Sequence, residues 1–464
     1  SACHGSSRAN TLRRSGTRTS ARPADQGAGV VVIGAGFTGL AAAWQLTQLG
    51  IPVTVLEQAL EPGGLAAGFP VAEGQTLERF YHHWFTGDHS VMDLVRELGV
   101  EQEIVLRETR TGMYYANRVH RLSSPVDLLR FSGLGVLDRL RLGLLALRAR
   151  RVTDWRQLDD MTASDWLRRM AGDRVYEVVW EPLLRGKFGH CAEEISAVWI
   201  WNKLKLRGGS RSNAGREQLA YFRGGFPALV QRLIDSIVAG GGRVICGQAA
   251  LEISTRDGRA CGVVTSAGTI SARAVIATPA LPIIADLLQD TVPERYAQQL
   301  RRITYLANLC LILELDRSLS DTYWLNVNDP GFPFVGVIEH TNFEPSSSYA
   351  GRHIVYLSRY LPESDPLYSD DNQSVLEQCM VALQRMFPEF QSDWILDHHV
   401  WRARYAQPVV TRGYAGLIPD AQTPLPGCFI ASMAQIHPED RGTNYAIREG
   451  REIARQVAET LEKN

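Results

Sequence analysis

The chain has 464 residues, 45% of them hydrophobic and 21% charged, with a formal net charge of −1. This is the composition of a globular protein too long for one ordinary core, so two domains are expected. The charge balance excludes nucleic-acid recognition through a basic surface, and no apolar run reaches the ~18–20 residues needed to cross a bilayer. Residues 1–26 are rich in Ser, Thr and Arg and nearly free of acid, which reads as a disordered or processed tail. Val30–Ile33 is an apolar run expected to be a buried parallel strand. Gly34, Gly36 and Gly39 follow it as G-x-G-x-x-G and open a helix that Gly50 closes. Val53–Leu56 is the next strand, ending in Glu57, 21 positions beyond Gly36. This strand–turn–helix–strand unit holds the ADP half of a dinucleotide: helix N–H groups meet pyrophosphate and the acid meets ribose hydroxyls. An acid at Glu57 disfavours a 2′-phosphate.

Further along, Phe69–Phe85 lacks periodicity and carries Tyr81-His82-His83-Trp84. A short helix is expected over Ser90–Leu98 and a hairpin over Thr109–Arg121. Val126–Arg151 reads as a helix with Leu128, Leu129, Leu137, Leu140, Leu144 and Leu147 apolar and an arginine-rich polar side. That pattern fits either a solvated face over a packed core or an amphipathic helix lying on an anionic membrane. Met161–Leu184 is expected to be helical. Gly224-Gly225-Phe226 opens a helix to about Ala239, followed by strands at Arg243–Cys246 and Ala250–Ser254, a meander through Cys261–Ser266 and Thr269–Ala272, and a buried strand Ala274–Ala277. Leu306–Leu315, Phe334–His340 and His353–Tyr360 read as strands of a second sheet, with a helix near Ser374–Met386. Cys428–Ser432 is a short strand, and Gly442-Thr443-Asn444-Tyr445-Ala446 opens a helix ending near Leu461.

Gly63-Gly64, six positions beyond Glu57, extend the first motif. With Trp180–Gly189 and Tyr221–Phe226, they resemble the amine oxidase, protoporphyrinogen oxidase and phytoene desaturase superfamily, a relative of UDP-galactopyranose mutase. The resemblance runs from Val30 to about Ala454 and implies FAD as the cofactor. It implies an α/β fold: a Rossmann-like FAD-binding domain with an inserted α+β substrate domain containing a mixed or antiparallel sheet. The expected boundaries are 27–100, 215–285 and 405–464 for the FAD-binding domain and 101–214 and 286–404 for the substrate domain. It also implies cofactor contacts at Gly34, Gly36, Phe37, Thr38, Gly39, Glu57, Gln58, Gly63, Gly64, Leu65, Ala250, Leu251, Ala277, Thr278, Asp440, Thr443, Asn444 and Tyr445. Many members carry Arg where this chain has Leu65, and Gly-Asp where it has Glu439-Asp440-Arg441. The helix opening at Thr443 would face the flavin N1 edge, where a helix N-terminus stabilises the reduced anion.

The chemistry is bounded by what the sequence lacks. There is no second G-x-G-x-x-G unit for a nicotinamide domain, no C-x-x-C for a disulfide reductase, and no G-x-S-x-G, H-E-x-x-H or P-loop. Seven scattered cysteines show no metal-ligand spacing and fit a reducing, cytoplasmic compartment with peripheral membrane contact left open. The expected reaction is loss of a hydride from an apolar porphyrinogen-, isoprenoid- or amine-like small molecule to FAD, with electrons passing to oxygen, a quinone or another carrier. His82, His83, His340 and Asn342 are the candidate catalytic residues. The resemblance implies a lysine near the flavin N5, for which Lys187 and Lys203 are candidates, but both read as solvated surface lysines, and His398-His399 reads as a strand end. Two alternatives stand beside this reading. One is a non-redox sugar-nucleotide mutase, with Arg359, Arg402 or Arg412 clamping a diphosphate; the other is a non-catalytic flavin-bearing subunit. Oligomeric state is not readable.

Overall fold

The computed structural model describes residues 29–121, 127, 131–209 and 218–463. The tail expected over residues 1–26 lies outside them, as do residues 126 and 128–130 of the expected Val126–Arg151 helix. A five-stranded parallel sheet has the order Arg243–Ile245, Val53–Leu56, Val30–Ile33, Ala274–Ala277, Cys428–Ile430. Strands distant in sequence thus become neighbours. Both faces of Val30–Ile33 are buried: Val30 and Val32 join one core cluster, Val31 and Ile33 another. That is why the run is continuously apolar rather than alternating.

The helix Phe37–Gln48 covers one face of this sheet and packs on the C-terminal helix Thr443–Lys463. The two helices touch backbone to backbone. A Cβ at Gly450 would lie 2.2 Å from Thr38 O. Likewise a Cβ at Gly39 would lie 1.9 Å from Gly34 O, so the third glycine of the motif is fixed by its approach to the first.

A seven-stranded mixed sheet has the order Ile395–Pro408, Tyr305–Leu315, His353–Leu361, Gly336–Glu339, Trp324–Val327, Thr111–Tyr115, Arg118–Arg121. It is antiparallel except where Trp324–Val327 runs parallel to Thr111–Tyr115. Tyr305–Leu315 is central and buried on both faces. Leu309, Leu311 and Leu313 meet the helix Asn372–Met386, whereas Cys310 and Ile312 turn toward the core shared with the parallel sheet. The hairpin expected over Thr109–Arg121 turns at Ala116-Asn117, both with positive φ (54° and 57°). Ile395–Pro408 is a 14-residue strand in which His398-His399, read from the sequence as a strand end, lie near the start. Its charged and aromatic side chains carry no apolar alternation, because it lies at the sheet edge.

Helices occupy the stretch between the sheets. The expected continuous helix Met161–Leu184 is broken instead. Ala163–Ala171 ends at Gly172 (φ 88°), and a π-helical turn Tyr176–Trp180 precedes Glu181–Phe188. Pro182 has no N–H, so the carbonyl one turn back loses its helical donor. Asn328 Nδ2 donates to Val178 O (3.4 Å) and Val179 O (3.2 Å) in its place. The arginine-rich helix is observed as Val136–Arg150. Its expected core positions face outward: Leu137 is 70% exposed, Leu140 52%, Leu144 45% and Leu147 54%. Leu145 and Ala149 are its buried residues, and Ala149 O accepts from Trp201 Nε1 at 2.8 Å.

Gly450→Ala is expected to destabilise the protein by about 1–3 kcal/mol, because the helix backbones cannot separate without loss of packing. Urea denaturation beside Gly416→Ala, whose Cβ meets nothing within 4 Å, checks this. Equal midpoints for the two variants would count against the close approach.

Candidate functional site

One cavity of about 640 Å3 runs from the Gly34–Thr38 turn, across the ends of the parallel strands, into a chamber between the helices and the large sheet. At its nucleotide end, Gly36 is the N-cap of Phe37–Gln48 and offers no side chain to cap the first amides. Gly34, Gly36, Phe37 and Thr38 line the cavity there. Glu57 is held in place from behind: Oε2 accepts from Ala35 N (2.8 Å) and Oε1 from Ala59 N (2.9 Å). Each carboxylate oxygen keeps a lone pair for a further donor. Gly63 N donates to Ala35 O at 2.8 Å, joining the second glycine pair to the first turn. Uncapped helix amides beside an oriented carboxylate are the donor and acceptor set that a pyrophosphate and a ribose require.

Gln58, Gly63, Gly64, Leu65, Ala250, Thr278, Asp440 and Thr443 also line the cavity. Several expected contacts lie elsewhere. Gly39 is under the turn against Gly34 O. Leu251 is 57% exposed, because alternation on its strand points it away from Ala250. Ala277 is buried inside the sheet, one residue short of the lining Thr278. Asn444 Oδ1 accepts from Val91 N at 3.1 Å and so fastens the helix His89–Glu97. Tyr445 lies outside the lining, beneath the Arg448 guanidinium at 5.0 Å.

The candidate histidines separate in the same way. His82 lines the cavity with Nδ1 2.6 Å from Phe80 O. A carbonyl only accepts, so Nδ1 carries the proton and the neutral ring keeps Nε2 as an acceptor. Burial, aided by the Arg441 charge and opposed by the Phe80 bond, lowers its pKa to about 4. His83 also lines the cavity, 3.0 Å from Tyr323 Oη. His340 and Asn342 do not reach it. The strand Gly336–Glu339 ends in a tight turn that carries them away. His340 Nε2 is 2.7 Å from Tyr349 Oη in the core, and Asn342 Nδ2 ties down Ser320 O and Thr322 O. Arg359, Arg402 and Arg412 are also absent from the lining; Arg402 is held by Tyr368 O, Asn372 Oδ1 and Asp370 O.

The polar cluster of the chamber joins Asp440, an expected cofactor contact, to Lys187 and Lys203, which the sequence left as surface lysines. Asp440, 5% exposed, accepts from Lys203 Nζ at 2.6 Å and from Gln407 Nε2 at 3.2 Å, with Lys187 Nζ at 3.8 Å. Burial would raise its pKa, but Lys203, Lys187 and Arg441 outweigh that and hold the carboxyl far below its ordinary range. Lys187 lies over the rings of Trp199 (4.9 Å) and Tyr360 (5.1 Å), and Arg441 Nη2 donates to Tyr360 Oη at 2.7 Å. The quoted run Trp180–Gly189 contains Lys187. A lysine on a segment that also supplies Trp180, Pro182, Leu183 and Gly186 to the lining is the signal that could have identified it.

Burial lowers the pKa of His82 to about 4, of His340 to about 3 and of His437 to about 4, from an ordinary 6.5. Between pH 6.5 and 4 these rings make the unfolded chain bind protons that the folded chain does not, which lowers stability as pH falls, while Asp88, whose carboxyl pKa burial raises to about 6, acts in the opposite sense. The ring proton signals of His82, His340 and His437 are expected to stay those of neutral imidazole down to pH 5. Titration of any of the three near pH 6.5 would contradict its burial.

The model of the family described as flavin containing amine oxidoreductase matches residues 37–458. The coproporphyrinogen III oxidase of Bacillus subtilis (strain 168) is 29% identical over 187 residues, 36% of this chain and 38% of that protein, so the match spans under two fifths of that relative. The 15-cis-phytoene desaturase of Narcissus pseudonarcissus is 24% identical over 420 residues, 82% of this chain and 71% of that protein. Among solved structures, a provisionally assigned protoporphyrinogen oxidase from Exiguobacterium sp. 255-15 superimposes with a TM-score of 0.73 at 18% identity, covering 92% of this chain and 98% of that one. Reduced UDP-galactopyranose mutase does so with a TM-score of 0.70 at 16% identity, covering 93% and 96%. The fold, the dinucleotide cradle and the match over nearly the whole described chain agree: the protein belongs to the flavin-containing amine oxidoreductase family, with FAD as its cofactor.

Proposed function

We propose that this oxidoreductase removes a hydride from a small molecule bound in the aromatic chamber and passes the electrons to oxygen, a quinone or another acceptor. The observation that carries this reading is the continuity of the cavity: the nucleotide cradle and a chamber walled by Trp180, Trp199, Ile200, Tyr360 and Tyr405 form one space. When bound, FAD supplies a two-electron acceptor for a hydride from a C–H or N–H bond. Gly34, Gly36, Phe37, Thr38, Glu57, Gly63, Gly64 and Thr278 would hold it. The chain itself orients the substrate and keeps water out. His82, neutral at physiological pH, offers an acceptor atom at the chamber wall without adding charge. A diphosphate clamp by Arg359, Arg402 or Arg412, as a mutase would need, has no support from their placement.

Flavin reoxidation tests the reading. After anaerobic photoreduction of the flavin-loaded protein, air is admitted and the oxidised band followed. Recovery within seconds is expected of an oxidase, and slow recovery in air with fast recovery on adding a quinone is expected of a dehydrogenase. Reduced flavin that persists with every acceptor would overturn it.

The helix Val136–Arg150 supports peripheral membrane contact as part of the same proposal. Leu137, Leu140, Leu144 and Leu147 recur at helical spacing on its outward face, flanked by Arg141 and Arg148. An apolar stripe edged with arginine matches an anionic lipid surface. The helix packs on Ala197–Gly209, whose Trp199, Ile200, Lys203 and Leu204 line the chamber. Co-sedimentation is expected with vesicles of phosphatidylcholine and phosphatidylglycerol, weaker with phosphatidylcholine alone, and reduced about tenfold by Leu137→Glu with Leu140→Glu. Equal pelleting of both proteins would count against the contact.

A further inference from the structure

The strand Trp324–Val327 and the residue after it set three polar-tipped side chains on the chamber face. Alternation sends Leu325 and Val327 into the core with helix Asn372–Met386, so Trp324, Asn326 and Asn328 turn the other way, and all three line the cavity. Their neighbours fix which way each amide points. The indole Nε1 of Trp324 only donates, so the Asn326 atom 3.0 Å from it is Oδ1. The carbonyls of Val178 and Val179 only accept, so the Asn328 atom 3.4 and 3.2 Å from them is Nδ2. What is left is Nδ2 of Asn326, with two N–H groups, and Oδ1 of Asn328, an acceptor. Neither atom has a hydrogen-bond partner among the described residues, and both remain accessible. Across the sheet Asn326 pairs with Gly336, also in the lining, so no side chain at that position covers the amide.

The geometry points to a substrate whose recognised group is neutral and carries a donor beside an acceptor, a carboxamide or a lactam, with its carbonyl on Asn326 Nδ2 and its N–H on Asn328 Oδ1. This rests on the proposed oxidation in the chamber and narrows its substrate. Residues two apart on a strand stand about 6.7 Å apart, a span that one amide group covers with a hydrogen bond at each end. A plain hydrocarbon on this wall strands both polar atoms. A carboxylate has no N–H for Asn328, and an ammonium has no acceptor for Asn326. A site that bonds both ends of a group rejects the analogue lacking one of them, because its own buried atom is then left unpaired. The fold, not the ligand, holds the two amides in place: Trp324 orients Asn326, and the carbonyls of the π-helical turn orient Asn328. Little ordering therefore remains to be done on binding.

The test is calorimetric binding to the flavin-loaded protein, independent of turnover, so that failure of the redox reading and failure of this one are separable. The probes are N-methyl-2-naphthylacetamide, methyl 2-naphthylacetate and 2-butylnaphthalene. They share a shape and carry, in that order, a donor with an acceptor, an acceptor alone, and neither. The amide is expected to bind about tenfold more tightly than the ester, which has nothing for Asn328 Oδ1, and more tightly still than the hydrocarbon. Asn326→Asp keeps the acceptor for Trp324 Nε1 and removes the donor. It is expected to weaken the amide about tenfold, about 1.4 kcal/mol, and to leave the hydrocarbon unchanged. Asn326→Leu is expected to weaken the amide as much without adding a charge. The proposal is overturned if the ester or the hydrocarbon binds as tightly as the amide, if no probe binds, or if either variant leaves amide affinity unchanged. It is equally overturned if either variant sheds FAD, read from the ratio of flavin to protein absorbance, because the amides would then serve the cofactor.

Discussion

The buried carboxylate of Asp440 is the point on which the site depends. It belongs to the segment that leads into the C-terminal helix on the nucleotide side. The lysines that neutralise it, Lys187 and Lys203, stand on helices Glu181–Phe188 and Ala197–Gly209 on the chamber side. A carboxylate removed from water costs several kcal/mol unless it is paired, and breaking such a pair leaves that cost uncompensated. The nucleotide half and the helical half are therefore held in one register. The result is orientation more than net stability, because the attraction chiefly repays desolvation.

Around that pair the cavity is assembled from segments far apart in sequence. The glycine turn comes from the first 40 residues, the aromatic wall from the helices and the large sheet, and the last wall from Asp440–Ala446. Close backbone approach makes this compact. Gly39 lies on Gly34 O and Gly450 lies on Thr38 O, so the first and last helices of the nucleotide half meet without side chains between them. The π-helical turn Tyr176–Trp180 serves the same end on the other side. Its freed carbonyls anchor Asn328, itself a lining residue.

A site of this kind combines two electrostatic environments in one space. The nucleotide end has backbone N–H groups and an oriented acid, suited to a cofactor with phosphates and ribose. The chamber has aromatic surface, a neutral His82 and the buried cluster of Asp440 with Lys203 and Lys187. Leucines exposed on Val136–Arg150 add an apolar outer face next to the helix that carries Lys203.

How much of this was legible in the sequence follows from the range of the forces involved. Val30–Ile33, Val53–Leu56 and Ala274–Ala277 were readable with their ends, as was the cradle of Gly34, Gly36, Glu57, Gly63 and Gly64. Each is set by local rules: burial on both faces, a turn, a helix start, a fixed step to an acid. His82 and His83 were readable as candidates because they follow that cradle closely in the chain. Ile395–Pro408 was not, since a sheet-edge strand with charged and aromatic residues carries no periodicity. His340 and Asn342 were placed at the flavin from strand position alone, and a tight turn sent His340 into the core and Asn342 onto Ser320 O and Thr322 O. Lys187 and Lys203 looked like solvated lysines because a lysine's setting is decided by what folds over it. The local sequence thus determined the cofactor cradle and the family. Which charges line the chamber was decided only in the tertiary structure, because ion pairing and desolvation depend on distances between residues hundreds of positions apart.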